Sequence, residues 1–474
     1  MKHKIWIFIG SLMVFLVVGS CSFIPSYNQP DTTVPETWPD GPAYRDVADG
    51  SPDAPSPVEL PWREFYTDPR MQVVIETALA YNTDLQLAAL NVVRARGLYG
   101  IQRAELFPAL DATGTGGKRR VPSDLSPSGE SYRPEEYDVD LGVFSWEIDF
   151  FGRLRSLKEQ ALQSYLATTQ AFRSVRIMLI STVAQAYLTL AADQENLHLA
   201  QTTYENQRSM YLLIKRRHDM GLASNLDLNR ARTQMEAARV DMARYTRMVA
   251  QDQNALSLLT GVFTSLDLED LPPDLSGIMA PADIRAGLSS DVLLNRPDIL
   301  QAENMLRAAN ANIGAARSAL FPRISLTATV GTASAELHNL FSSGQDTWSI
   351  APSILLPVFD ARLWAALDVS KADQKIAVVQ YQQTIQTAFR EVADALAMQG
   401  TVDQQLAAQA ALVRASAETF RLANMRYARG LDSYLEVLDA QRALYAAQQA
   451  LVSLNLSKLA NHVHLYAALG GGVD

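Results

Sequence analysis

The chain has 474 residues, 48% of them hydrophobic and 19% charged, and a formal net charge of −10. This composition excludes a disordered or low-complexity polymer, and acidic residues spread along the whole length exclude the basic footprint of a nucleic-acid-binding protein. The only cysteine is Cys21, so no disulfide can form within one chain.

In chain order, the first expected element is a targeting segment. Lys2 and Lys4 precede an apolar run from Ile5 to Val18. That run is shorter than the roughly 20 residues of a membrane-spanning helix and suits a signal-peptide core. It ends in small residues leading into Cys21. The stretch "VVGSC" resembles the lipobox of bacterial lipoproteins. The resemblance implies that residues 1–20 are a signal peptide and that Cys21 carries an N-acyl diglyceride (palmitoyl) lipid. Ser22, where Asp would retain the protein, implies the outer membrane. The plainer alternative is a signal peptide with a chance cysteine.

Residues 21–70 form the next expected segment. From Pro25 to Pro69 the chain is rich in Pro, Asp and Ser, with scattered Trp38, Tyr44 and Trp62. Such a composition cannot build its own core, so it is either an extended tether or a strap laid over another domain. From Val73 onward apolar residues recur at spacings of three and four, the period of a helix, until Pro108 stops it.

The chain then repeats itself. A shift of 214 residues pairs Asp84 with Asp298, Gly100 with Gly314, Arg103 with Arg317 and the "LFP" at 106 with that at 320. A shift of 209 pairs Phe150 with Phe359, Arg153 with Arg362, Arg217 with Arg426, Gly221 with Gly430 and Ser224 with Ser433. The pattern predicts two homologous halves, 71–270 and 291–474, joined by a linker at 271–290.

Each half is expected to contain a β-hairpin, about 107–147 and 322–357. In "RISLTATVG" Ile324, Leu326, Ala328 and Val330 alternate with Arg323, Ser325, Thr327 and Thr329, and "YDVDLGVFSW" alternates in the same way. Strands of about ten residues with one apolar face, and Tyr137, Trp146 and Trp348 near their ends, fit an outer-membrane barrel. Half-buried strands of a soluble sheet give the same pattern.

Long helical hairpins follow, about 153–260 and 361–460. No proline occurs between Pro134 and Pro272 or after Pro357. An unbroken helix from Arg153 to Met220 would be about 100 Å long. Phe172, Val175, Leu179, Val183, Tyr187 and Leu190 recur at helical spacing among alanines, and Gly221 and Gly430 mark the turns. A tethering coiled coil would share the helices but not the hairpins at their roots. Four strands cannot close a barrel, and open edges are not tolerated in lipid, so copies must join. Two copies would give a filled eight-stranded barrel; three or more leave a lumen, and hence a conduit.

The double "LFP", "DFFGRLRS", "RYARGLDSYLEVLDAQRALYAAQQAL" and "YAALGGG" closely resemble the outer-membrane efflux family of TolC and OprM, in its lipoprotein branch with NodT and CusC. The resemblance implies a homotrimer with a 12-stranded transmembrane β-barrel, four strands per chain, continuing into a long periplasmic α-helical barrel. It implies the exit duct of a tripartite pump for drugs or other small molecules, joined through a periplasmic adaptor protein to an inner-membrane transporter of the resistance-nodulation-division type. Copper or silver export is the alternative cargo.

By position, the resemblance places adaptor contacts at the helix tips, on Gly221, Leu222, Ala223 and Ser224 and on Gly430, Leu431, Asp432 and Ser433. It places a periplasmic gate on Leu435 and Asp439. Related proteins carry an arginine directly after the tyrosine of this stretch; here Ala428 stands there and Arg429 follows, about 100° further round a helix. Asp432 and Glu436 are further acids near the opening, each more often part of a solvated face than of a gate.

Little supports an enzyme. "GTGG" at 114–117 and "GLYG" at 97–100 lack the strand-glycine-helix context of a nucleotide loop, and no thiol nucleophile exists beyond Cys21. "HVH" at 462–464 would spread its imidazoles around a helix, and the 13 methionines fall mostly at apolar helical positions. No cofactor is expected besides the lipid. A structural surface lipoprotein and a periplasmic hydrolase remain as other classes: the first would not conduct, and the second would turn over a substrate.

Overall fold

The computed structural model describes residues 22–31, 34–44, 60–263, 274–282 and 289–472. The signal segment 1–20, Cys21, and parts of the 21–70 segment and the 271–290 linker lie outside the described residues. The elements are helices α1 (Trp62–Phe65), α2 (Pro69–Tyr81) and α3 (Thr83–Ala104), strands β1 (Asp111–Lys118) and β2 (Glu135–Ile148), and helices α4 (Arg153–Asp219), α5 (Asn225–Thr260) and α6 (Pro297–Ser318). Strands β3 (Arg323–Ser334) and β4 (Asp346–Leu355) and helices α7 (Ala361–Ala428) and α8 (Tyr434–Ala468) complete the chain. The chain divides into a sheet-bearing unit of residues 1–31, 91–169 and 301–381 and a helical unit of residues 32–90, 170–300 and 382–474.

In the sheet unit the four strands form one antiparallel sheet in the order β1-β2-β3-β4. Leu141 faces Val330, and Val330 faces Trp348; Val143 faces Ala328, and Ala328 faces Ile350. Because side chains alternate along a strand, these pairs gather on one face, while Asp140, Gly331, Thr347 and Ser349 gather on the other. The apolar face carries Val330, Trp348, Ile350 and Ile354 exposed within the chain. Such a two-faced sheet suits lipid on one side and water on the other.

An irregularity interrupts the β2–β3 ladder between Val143 and Trp146. Ser145 takes up a left-handed φ of 55° there, and its N–H donates to Thr327 Oγ1 at 3.0 Å. This is a bulge of one extra residue. α4 and α7 begin at Arg153 and Ala361, 208 positions apart, where the sequence motifs align at 209, so the second helix starts one residue earlier relative to its motif. Phe151 and Phe359 each stand two residues before the helix that follows them.

The two strand-to-helix joints bend by different means. Gly152 adopts a φ of 77°, and Asp149 caps α4, its carboxylate accepting from the N–H of Leu154 (3.2 Å) and Arg155 (2.9 Å). At the second joint Asp360 accepts from the Arg362 N–H at 3.0 Å and pairs with the Arg362 guanidinium. Pro357 precedes it.

Residues 22–31 lie extended along α6. Arg317 donates to the Phe23 carbonyl (3.3 Å), Asn310 to that of Pro25 (2.9 Å), and the Tyr27 hydroxyl to Glu303 (3.1 Å). Phe23 stacks 4.6 Å from Phe321. Gly314 makes the approach possible, since a Cβ there would sit 2.6 Å from Ile24 Cγ1.

In the helical unit the expected helix beyond Val73 is broken at Asn82, which ends α2 and accepts from the Leu85 N–H at 2.9 Å to start α3. A side chain that caps locally competes with continuation of the helix. Trp62, Phe65 and Tyr66 are fully buried, with Phe65 stacked 3.9 Å from Tyr466 and the Tyr466 hydroxyl donating to the Leu60 carbonyl at 2.5 Å. Each such side chain stabilises the fold by roughly 1.5–3 kcal/mol. Val183, Tyr187 and Leu190 of α4 join this core. An apolar window of α4 is long enough to cross a membrane, but 61% of it is buried inside the chain.

Candidate functional site

The helix tips of the helical unit repeat one another. Gly221 has φ 75° and Gly430 φ 73°, a left-handed conformation that ends a helix cheaply only with glycine. Each turn closes in the same way. The N–H of Gly221 and of Leu222 donate to the carbonyls of His218 (2.8 Å) and Arg217 (2.7 Å), and those of Gly430 and Leu431 to Tyr427 and Arg426 (both 2.9 Å). Leu222 and Leu431 point outward, 65% and 63% exposed.

The helices leaving the turns start differently. Ser224 caps α5, accepting from the Asp227 N–H at 3.0 Å and donating to its carboxylate at 2.7 Å. Ser433 occupies the same position before α8 without a side-chain cap bond. There Arg426 grips the Asp432 carboxylate through two contacts of 2.5 and 2.8 Å. The guanidinium holds that carboxyl below the usual range. Ala223 packs against a small core of Ile214, Ala231, Tyr434, Val437 and Leu438 from α4, α5 and α8, against which Phe420, Ala423 and Tyr427 of α7 also pack. Burial pushes the Tyr434 phenol up, and its hydroxyl is without a hydrogen-bond partner among the described residues.

Leu435 and Asp439 lie one turn apart at the start of α8, Leu435 half-buried and Asp439 exposed. Asp439 forms an ion pair with Arg442, three residues on. Among the described residues Arg429 is exposed and makes no ion pair within the chain. The Arg442 partnership is the part that sequence reading missed, although the spacing within "LDAQR" carries it. Among the described residues no group of three or more His, Cys, Asp or Glu side chains is placed to hold a metal ion.

A sheet with one apolar face, two unpaired edges, and duplicated helical hairpins ending in matched turns is the architecture of a channel subunit. The sequence profile of the family described as "Outer membrane efflux protein" matches residues 74–262 and 288–471. The chain belongs to the outer membrane efflux protein family. It is similar to the antibiotic efflux pump outer membrane protein ArpC of Pseudomonas putida, 49% identical over 457 residues, 96% of this chain and 93% of that one. It is similar to the toluene efflux pump outer membrane protein TtgC of the same species, 48% identical over the same shares. The open state of the MtrE outer membrane channel of Neisseria gonorrhoeae superposes with a TM-score of 0.84 at 39% identity, covering 96% of this efflux protein and 99% of MtrE. The efflux protein is therefore an outer-membrane channel component of an efflux pump, with the barrel-and-helix fold of that family.

Proposed function

We propose that the chain works as a homotrimeric, non-enzymatic exit duct for small organic molecules such as antibiotics and aromatic solvents. The observation that carries this reading is the four-stranded sheet with an apolar outer face and free edges at β1 and β4. An unpaired edge costs several kcal/mol per exposed backbone group in hydrocarbon. Three copies give twelve strands, enough to leave a lumen. The cargo follows from relatives near half identity that are named for antibiotic and toluene pumps.

In this reading the turns at Gly221, Leu222, Ala223 and Ser224 and at Gly430, Leu431, Asp432 and Ser433 meet the periplasmic adaptor, which links the duct to a resistance-nodulation-division transporter. Leu435 and Asp439 form an apolar and an acidic ring at the closed end, with Arg429 beside it. Cys21 carries the lipid. The start of the described strap is compatible with that assignment, because Phe23, two residues after Cys21 in the sequence, sits against Phe321 at the root of β3. Domains are assigned as a signal at 1–20, a lipidated strap at 21–70, repeats at 71–270 and 291–474, and a linker at 271–290.

The test is purification in detergent followed by insertion into planar bilayers. A trimer mass with ion conductance is expected, together with sensitivity of a deletion strain to organic antimicrobials rather than to copper or silver. A monomer that does not conduct would overturn the reading.

A further inference from the structure

At the end of the sheet away from the long helices, the β1–β2 hairpin sorts its charges by face. Tyr137 and Trp146 lie on the apolar face of β2, nine positions apart, opposite Gly116 and Leu326. A strand rising about 3.4 Å per residue at a tilt of about 40° climbs roughly 23 Å over that distance, close to the roughly 25 Å height of a barrel's apolar band. Tyr137 therefore marks the far edge of the band. Two residues beyond it on the same face, Lys118 stands opposite Glu135, and the two form an ion pair.

The ladder then continues past the end of β1 in the same register. The Arg119 N–H donates to the Pro134 carbonyl at 3.2 Å, and Val121 and Tyr132 exchange both backbone bonds at 2.8 and 3.1 Å. This register sets Arg120 opposite Arg133, between two hydrogen-bonded rungs, where facing side chains lie closest. Both arginines are exposed, and among the described residues neither side chain has a hydrogen bond or ion pair. Like charges directly opposite one another destabilise a strand pair. The acids of the same strand pair do not offset them, because Glu136 and Asp138, opposite Gly117 and Thr115, lie on the polar face. The last rung on the apolar face of the β3–β4 pair is Thr332 opposite Asp346, which carries no cation.

We propose that Arg120 and Arg133 clamp a phosphate group of an anionic lipid in the outer leaflet of the membrane. The inference rests on the barrel reading above, which puts the helices in the periplasm and this hairpin at the opposite rim. Arg133 stands four residues beyond Tyr137, about 10 Å above the band by the same rise and tilt. The headgroup layer is about 5–8 Å deep on each side of a bilayer, and an arginine side chain is long enough to reach down into it. Each guanidinium presents a fork of N–H donors that fits phosphate bidentately, and an anion between the two removes their mutual repulsion. Free phosphate would meet the same donors. A lipid is favoured because Tyr137, Val139 and Leu141 continue the same face directly below, where its acyl chains would lie.

The test titrates the immobilised full-length trimer in detergent with radiolabelled lipid A carrying both phosphates. Arg120→Gln combined with Arg133→Gln should lower the affinity by about tenfold or more, since a charged hydrogen-bonding partner is lost on both strands. Arg120→Lys with Arg133→Lys keeps the charge without the forks and should fall between that variant and the parent. Lipid A stripped of its phosphates should bind the parent as weakly as the intact lipid binds the glutamine variant. Added salt should weaken the parent more than the glutamine variant.

Equal affinity in the parent and the glutamine variant, or equal binding of the stripped lipid, would overturn the clamp. Displacement of the lipid by an equal concentration of inorganic phosphate would overturn the lipid as occupant. In each case a conducting trimer leaves the duct reading standing. A parent that is monomeric and does not conduct overturns the duct reading itself.

Discussion

Arg217 donates from Nη1 to the Tyr427 hydroxyl at 3.2 Å, and its guanidinium lies 5.6 Å from the centre of that ring. The pair ties α4 of the first repeat to α7 of the second just above their matched turns, and Tyr427 in turn lies 5.4 Å from Tyr434. If opening of the duct parts these tips, it has to release this contact. Removing it with Arg217→Ala deletes a hydrogen bond of about 0.5–1.5 kcal/mol and a cation–π contact of about 0.5–1 kcal/mol. The ratio of open to closed states in planar bilayers should rise roughly five- to seventyfold, at about 1.4 kcal/mol for each factor of ten. Tyr427→Phe keeps the ring and should produce about half the free-energy effect. Unchanged occupancy in both variants would remove the pair from the closing contact.

The helical unit also holds two adjacent carboxyls. Burial, and then the charge of Asp193, push Asp252 up to about 6, and burial also raises Asp193. The folded chain therefore keeps a proton that an unfolded aspartate, ordinarily near 3.9, would release. Stability falls as pH rises from about 4 to about 6 and is level above that. Asp252→Asn removes the charge and should flatten this limb and raise the melting temperature at pH 7. Thermal scans at pH 4.5, 5.5 and 7 check it, and parallel curves for variant and parent would dismiss the pair as a source of pH dependence.

Much of the architecture can be read from the residues because it rests on local periods and on repetition. Alternating Ile324, Leu326, Ala328 and Val330 write a strand, and the doubled Gly221 and Gly430 write two equal turns. Other features depend on distant partners. Trp62, Phe65 and Tyr66 sit in a stretch too polar to form a core, yet they are buried because Tyr466, some 400 residues away, receives them. The bulge at Ser145 is held by Thr327 on another strand, so no pattern within "YDVDLGVFSW" reveals it. The helix break at Asn82 was locally encoded in "YNTD" and was masked by the apolar period running through it.

At the assigned gate, Asp439 and its partner Arg442 make opposite predictions. Three aspartates around a threefold axis repel one another, and each arginine offsets part of that charge. Asp439→Ala should raise single-channel conductance by removing the side chains that narrow the ring and should reduce preference for cations. Arg442→Ala should increase cation preference by leaving the acids uncompensated. The pair is exposed, so both effects should shrink as salt rises. Reversal potentials under a salt gradient measure the selectivity, and an intact trimer with unchanged conductance in Asp439→Ala would sink the gate assignment.

Gly221 and Gly430 can serve the turn alone or also the docking of another protein. A Cβ added at either would meet nothing within 4 Å, so any cost within the chain comes from the left-handed backbone. That cost is about 1–2 kcal/mol for alanine and less for asparagine, which tolerates this conformation. Gly221→Ala and Gly430→Ala should therefore weaken the tips, seen as faster hydrogen exchange in the last turns of α4 and α7, while Gly→Asn at the same sites should restore protection. Adaptor binding separates the two roles. If an adaptor helix approaches these glycines closely, the asparagine variants keep their protected turns but lose affinity by about tenfold or more, the effect of roughly 1.4 kcal/mol of steric conflict. If the asparagine variants bind as tightly as the parent, the glycines shape the turn only, and the adaptor contact must lie on the exposed Leu222 and Leu431.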